Sequence, residues 1–131
     1  MIADLTKNYI DKKYELGKVD CFRLIYDYLE DKIELPKEFN GLTLETYGGL
    51  FKENPEKAGL LMVAFLETYL NEIALSEITS GDIVVLNYNC GRIFLGIVVA
   101  NAKVLLVTIE KGVTVLPLKY YQIKRAFRCP Q

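Results

Sequence analysis

The chain has 131 residues, of which 51% are apolar, close to the size of one domain and enough for one sizeable core, which excludes a disordered tail or linker. Sixteen Lys and Arg stand against 17 Asp and Glu, for a net charge of −1. A protein that grips nucleic acid by neutralising phosphates carries a clear basic excess, and this chain has none overall. It contains no histidine, so a Cys–His hydrolytic mechanism is excluded whatever fold it adopts.

The elements run helices first and strands second, an order that predicts an α+β fold of one domain over residues 1–131 rather than alternating β-α-β units. Ile2, Leu5, Tyr9 and Ile10 fall on one helical stripe, with Gly17 following as a helix-end signal. Phe22, Ile25, Tyr26 and Leu29 form a second stripe. Asp20 is placed to cap that helix and Leu35-Pro36 to stop it. Asn40-Gly41 marks a turn, and Gly48-Gly49 weakens any helix between Leu42 and Leu50. Asn54-Pro55 is a capping residue followed by proline at the first helical position, so a third helix is predicted from about Pro55 to Ile73. It is apolar nearly all round between Ala58 and Leu66, which predicts burial of most of it. That run is also far short of the ~20 apolar residues a membrane span needs.

Ser80-Gly81-Asp82 opens the β half. Ile83 to Leu86, Ile93 to Val99, Val104 to Ile109 and Val113 to Leu116 are rich in Val and Ile. Short connections predict an antiparallel meander, and Gln122 to Arg128 is expected to close the sheet as about the fifth strand. Lys119, Lys124, Arg125 and Arg128 crowd this end and read as an ordinary solvated strand face. Tyr120-Tyr121 is the aromatic pair best suited to a contact surface.

Cysteine use is sparse. Cys21, Cys90 and Cys129 are odd in number and lack CxxC spacing, which argues against a disulfide framework or a structural zinc site. Neither a cofactor nor a metal is expected. Met1-Ile2-Ala3-Asp4 lacks a basic region followed by an apolar run, so synthesis in the cytoplasm without a signal peptide is expected. Cys21 is the one thiol in a position that chemistry favours. It sits where a buried helix begins, and the positive end of the helix dipole there favours a thiolate. The competing reading is a small core residue, the usual state of a free cysteine.

The whole pattern resembles the NlpC-type cysteine peptidases, papain-like enzymes that cut peptidoglycan stem peptides. The residues that carry the resemblance are Val19-Asp20-Cys21-Phe22 at a helix start, Gly81-Asp82-Ile83-Val84-Val85, Phe94-Leu95-Gly96-Ile97-Val98-Val99 and Lys103-Val104-Leu105-Leu106. On that resemblance Asp20-Cys21 matches the nucleophile motif and Gly96 the glycine that lets the backbone pass close to the site. The family's catalytic histidine falls on Phe94 and its third polar residue on Leu106. Phenylalanine cannot take a proton from a thiol, and leucine cannot orient a base. Bulky Phe94 and Leu106 are expected to fill part of the groove.

No replacement base is evident. Arg92 shares the face of Phe94 by strand alternation but stays protonated. Tyr88 and Asn89 lie near the start of that strand, and Asp82 reads as a turn cap. The resemblance therefore implies a pseudoenzyme: a remnant nucleophile in a fold used for assembly or docking. Stand-alone domains of this kind occur in phage tail tips and baseplates, so the implied partners are other phage tail proteins, with incorporation in a virion tail, no nucleic acid and no membrane. Two other readings stand beside it. One is an active cysteine hydrolase with a non-histidine helper. The other is a module that holds peptidoglycan peptide without cutting it.

Overall fold

The computed structural model describes residues 7, 9–87 and 93–130. Ile2 and Leu5 of the first predicted stripe, and Tyr88, Asn89, Cys90 and Arg92, lie outside the described residues. Lys7 and Tyr9 are helical. A tight turn then joins Glu15 to Val19, and Gly17 occupies its left-handed position at φ +88°. Gly17 thus belongs to the turn that launches the next helix and not to the end of the first.

Helix α1 is Cys21–Glu30 and buries Leu24, Ile25, Tyr28 and Leu29 along one stripe. Each fully buried leucine or isoleucine contributes about 1.5–3 kcal/mol relative to exposure. The helix stops at Glu30, ahead of Leu35-Pro36. At its far end the Tyr28 hydroxyl donates to the Gly81 carbonyl at 2.9 Å, tying α1 to the start of the sheet.

Helix α2, Tyr47–Glu53, forms in spite of Gly48 and Gly49. Tertiary packing decides this, because Tyr47 is buried and its ring meets those of Phe22 and Phe51. Asn54 caps helix α3, Pro55–Tyr69, through its side chain to the Lys57 N–H, with Pro55 in the first turn. One expectation changes here. The helix ends at Tyr69 and not Ile73, because Asn71–Ile73 forms strand β1, paired with the last strand. The apolar run is mostly buried or half-buried as expected, with Ala58, Met62, Phe65 and Leu66 facing inward; Leu60 is the exception at 66% exposure.

The remaining strands are β2 (Ile83–Asn87), β3 (Ile93–Val99), β4 (Lys103–Thr108), β5 (Gly112–Pro117) and β6 (Gln122–Arg128). All pairings are antiparallel, in the order β1-β6-β2-β3-β4-β5. The sheet thus has six strands where about five were expected. Only β2 to β5 form a meander. The chain crosses back so that β6 lies between β1 and β2, with a register irregularity opposite Val85 and Leu86.

Strand alternation divides the apolar side chains between two cores. The helix face carries Leu24, Ile25, Leu66, Leu95, Ile97, Leu105 and Val107. The far face carries Val84, Leu86, Val98, Val104, Leu106 and Ala126, with Leu116, Leu118, Tyr121 and Ile123 packed on it. The basic C-terminal cluster is not simply solvated. Arg125 on β6 pairs with Glu67 of α3 and Glu72 of β1, and Arg128 grips buried Asp82 with two hydrogen bonds.

Candidate functional site

The first turn of α1 is held by one carboxylate. Asp20 is 4% exposed. Its Oδ1 accepts from the Arg23 backbone N–H at 2.8 Å. Its Oδ2 accepts from the Gly17 N–H at 2.7 Å and from the Tyr47 hydroxyl at 2.6 Å. The predicted cap is therefore present, and it also anchors the preceding turn and helix α2. Burying a carboxylate is costly unless it is hydrogen-bonded, and here three donors meet that need.

The neighbour of Asp20, Cys21, occupies the first helical position as expected. Its electrostatics are the reverse of the expectation. Burial pushes the thiol up to about 12, and the adjacent Asp20 carboxylate pushes the same way. Backbone hydrogen bonds from Leu95, Phe22 and Cys21 itself pull downward without prevailing. The helix dipole argument fails because the positive helix end is already occupied by Asp20, and desolvation penalises the charged sulfur.

A cleft of about 590 Å³ opens beside Cys21. Its walls come from the first turn of α1, the α2–α3 junction, β3 and β4, and include Asp20, Cys21, Phe51, Met62, Phe94 and Val107. The groove is open; of the two residues expected to fill part of it, Phe94 stands in its wall and Leu106 does not. Phe94 also packs against the far core. Leu106 is 1% exposed within the far core, because it pairs with Gly96 on the outward-turned positions of β3 and β4. Gly96 serves that same face: a side chain there would collide with Val104 and stand 3.2 Å from the Leu105 carbonyl.

Asp82 is far from this cleft. It accepts from the Thr79 N–H at 2.9 Å and from Arg128, and it lies at the other end of α1, where Tyr28 meets Gly81. Seven residues separate Tyr28 from Cys21, about 10 Å along a helix. Among the described residues, no three Cys, Asp or Glu side chains come together as metal ligands. Sequence reasoning did not single out Tyr47 as the partner of Asp20, nor the cleft-lining Glu53, Glu56, Leu60 and Ile109. No local pattern reports a contact between residues 27 positions apart, but an exposed leucine in an amphipathic helix is a signal that could have been read.

This architecture defines the class of protein. Over 96% of this chain and 94% of the other, it superposes with a TM-score of 0.61 on the crystal structure of the NlpC/p60 domain of the peptidoglycan hydrolase SagA, at 16% sequence identity. The chain thus has the α+β fold of the NlpC/p60 domains, as the sequence pattern led one to expect. Residues 1–129 match the family described as a domain of unknown function (DUF6950), and the chain belongs to that family. No curated protein matches it.

Proposed function

We propose that the protein is a non-hydrolytic NlpC/p60-fold domain that holds a polypeptide segment in the cleft beside Cys21 and so docks a partner protein. The observation that carries this reading is the state of the Asp20-Cys21 pair. The half-buried thiol is pushed upward by desolvation and by Asp20, and both carboxylate oxygens beside it are committed to other donors. Acyl transfer needs a thiolate and then a proton for the leaving amine. The chain has no histidine for either task. Glu53 and Glu56 line the cleft, but neither is hydrogen-bonded to the Cys21 thiol.

What remains is a retained groove on a rigid scaffold, which is what a docking domain needs. A phage tail tip or baseplate is the assembly we propose, with other tail proteins as partners; resemblance to stand-alone domains of this type supports that setting. The open cleft also favours a second reading, retention of peptidoglycan peptide without cleavage.

The test is incubation of the protein with purified muropeptides, read by mass spectrometry, beside Cys21→Ser. No cleavage by either protein is the expected result. Cleavage by the wild type that Cys21→Ser abolishes would overturn the proposal and establish a hydrolase with a non-histidine helper.

A further inference from the structure

The lining of the cleft is chemically one-sided. Its rim carries two large apolar side chains in water, Leu60 at 66% and Ile109 at 64% exposure, above an apolar floor that includes Met62, Phe94 and Val107. Asp20, Glu53 and Glu56 line it, and no described lysine or arginine does. Lys52 and Lys57 adjoin these acids in sequence but do not line the cleft. Among the described residues, neither Glu53 nor Glu56 takes part in an ion pair.

Two helix N-termini also border the cleft, those of α1 and α3. Each adds roughly half a positive charge. Asp20 already caps the first, and Glu56 stands in the first turn of the second. Among the described residues the lining is net negative: open Glu53 and Glu56, with the capping Asp20 beneath, stand against about one positive charge from the helix ends. The volume of about 590 Å³ falls within the ~300–1,000 Å³ typical of clefts that enclose a ligand. Isolated exposed leucines are ordinary, but two of them flanking one apolar cleft mark an interaction surface.

From this complementarity we infer that the occupant is a segment of a partner protein that places large apolar side chains in the cleft and a lysine or arginine against Glu53 and Glu56. The inference rests on the docking role proposed above and names the partner's chemistry. It also separates this cleft from one built for an acidic peptide, which the three carboxylates would repel.

The experiment is fluorescence anisotropy with two end-capped, labelled peptides, one carrying Leu and Tyr between two lysines and the other the same residues between two glutamates. The expected result is binding of the lysine peptide at least tenfold tighter than the glutamate peptide, weakening as salt rises. Glu53→Lys/Glu56→Lys is expected to abolish or reverse that preference. Leu60→Gln and Ile109→Gln are each expected to weaken the lysine peptide at least fivefold. All four positions are exposed, so the variants should fold, and circular dichroism checks that they do.

Equal affinity for both peptides, a preference for the glutamate peptide, or no binding of either would overturn the inference. Concentration-dependent self-association abolished by Leu60→Gln would also overturn it, since a second copy would then be the occupant. None of these outcomes depends on whether muropeptides are cut, so this inference and the non-hydrolytic reading fail separately.

Discussion

Tyr47→Phe removes one oxygen atom from the centre of the site, and its cost can be worked from the structure. The Tyr47 hydroxyl donates to Asp20 at 2.6 Å, and both residues are 4% exposed. A hydrogen bond to a charged group contributes about 1.5–3 kcal/mol. Near the midpoint, 1 kcal/mol shifts Tm by about 4 °C in a domain of this size. Tyr47→Phe should therefore lower Tm by about 6–12 °C.

The same change made in an Asp20→Ala background should behave differently. With the carboxylate gone, the buried hydroxyl has lost its acceptor, so removing it should cost nothing or restore some stability. The coupling between the two positions is then about 2 kcal/mol. Urea unfolding followed by circular dichroism measures all four proteins, and an unchanged m-value shows that the comparison is between like states. A loss below about 0.5 kcal/mol for Tyr47→Phe in the wild type, or an equal loss in both backgrounds, would refute the view that Asp20 is a buried carboxylate held by convergent donors.

Burial and the Asp20 carboxylate push the Cys21 thiol up to about 12, so the neutral thiol is the favoured form at pH 7. Alkylation of the folded protein at this residue should be slow at neutral pH and still rising at pH 9, with Cys21→Ser as control. A rate that levels off below pH 8 would contradict the neutral thiol. The raised value also has a stability consequence. The folded state keeps a proton that the unfolded chain releases near pH 9, so this contribution is full below pH 9 and is lost as pH rises toward 12. Tyr28, also raised to about 12, and Tyr47, raised as well, act in the same alkaline direction. Subtracting the Cys21→Ser stability curve isolates the cysteine, and a difference independent of pH between 8 and 11 would count against its burial. Gly112→Ala should destabilise by more than the ~1–2 kcal/mol of a left-handed residue. The glycine holds φ +68°, and an added Cβ would overlap the Lys12 carbonyl oxygen, which accepts from Val113. A Tm within 2 °C of wild type would show that the N-terminal segment does not pack on the start of β5 as described. Leu106→Ala should cost about 2–5 kcal/mol as a far-core cavity while leaving peptide binding in the cleft unchanged, and a selective loss of binding would place Leu106 at the site after all.

Local signals in the chain were enough for the fold class, the Asp20 and Asn54 caps and five of the six strands, because capping, proline geometry and β-branched runs act over a few residues. They were not enough for β1. Asn71–Ile73 follows directly on the third helix with no turn signal between them, and pairing with β6 makes it a strand. The return of β6 to the middle of the sheet was equally invisible, since sequence order does not state which edge a strand joins. The absence of histidine limits the chemistry from composition alone. Whether Cys21 is a thiolate is not a local property: the helix start favours the charge, and burial together with Asp20 reverses that preference. Phe94 and Leu106 are both apolar and were read as one filled site. The pairing of Leu106 with Gly96 places it in the far core, while Phe94 on the same face reaches both that core and the wall of a cleft that remains open.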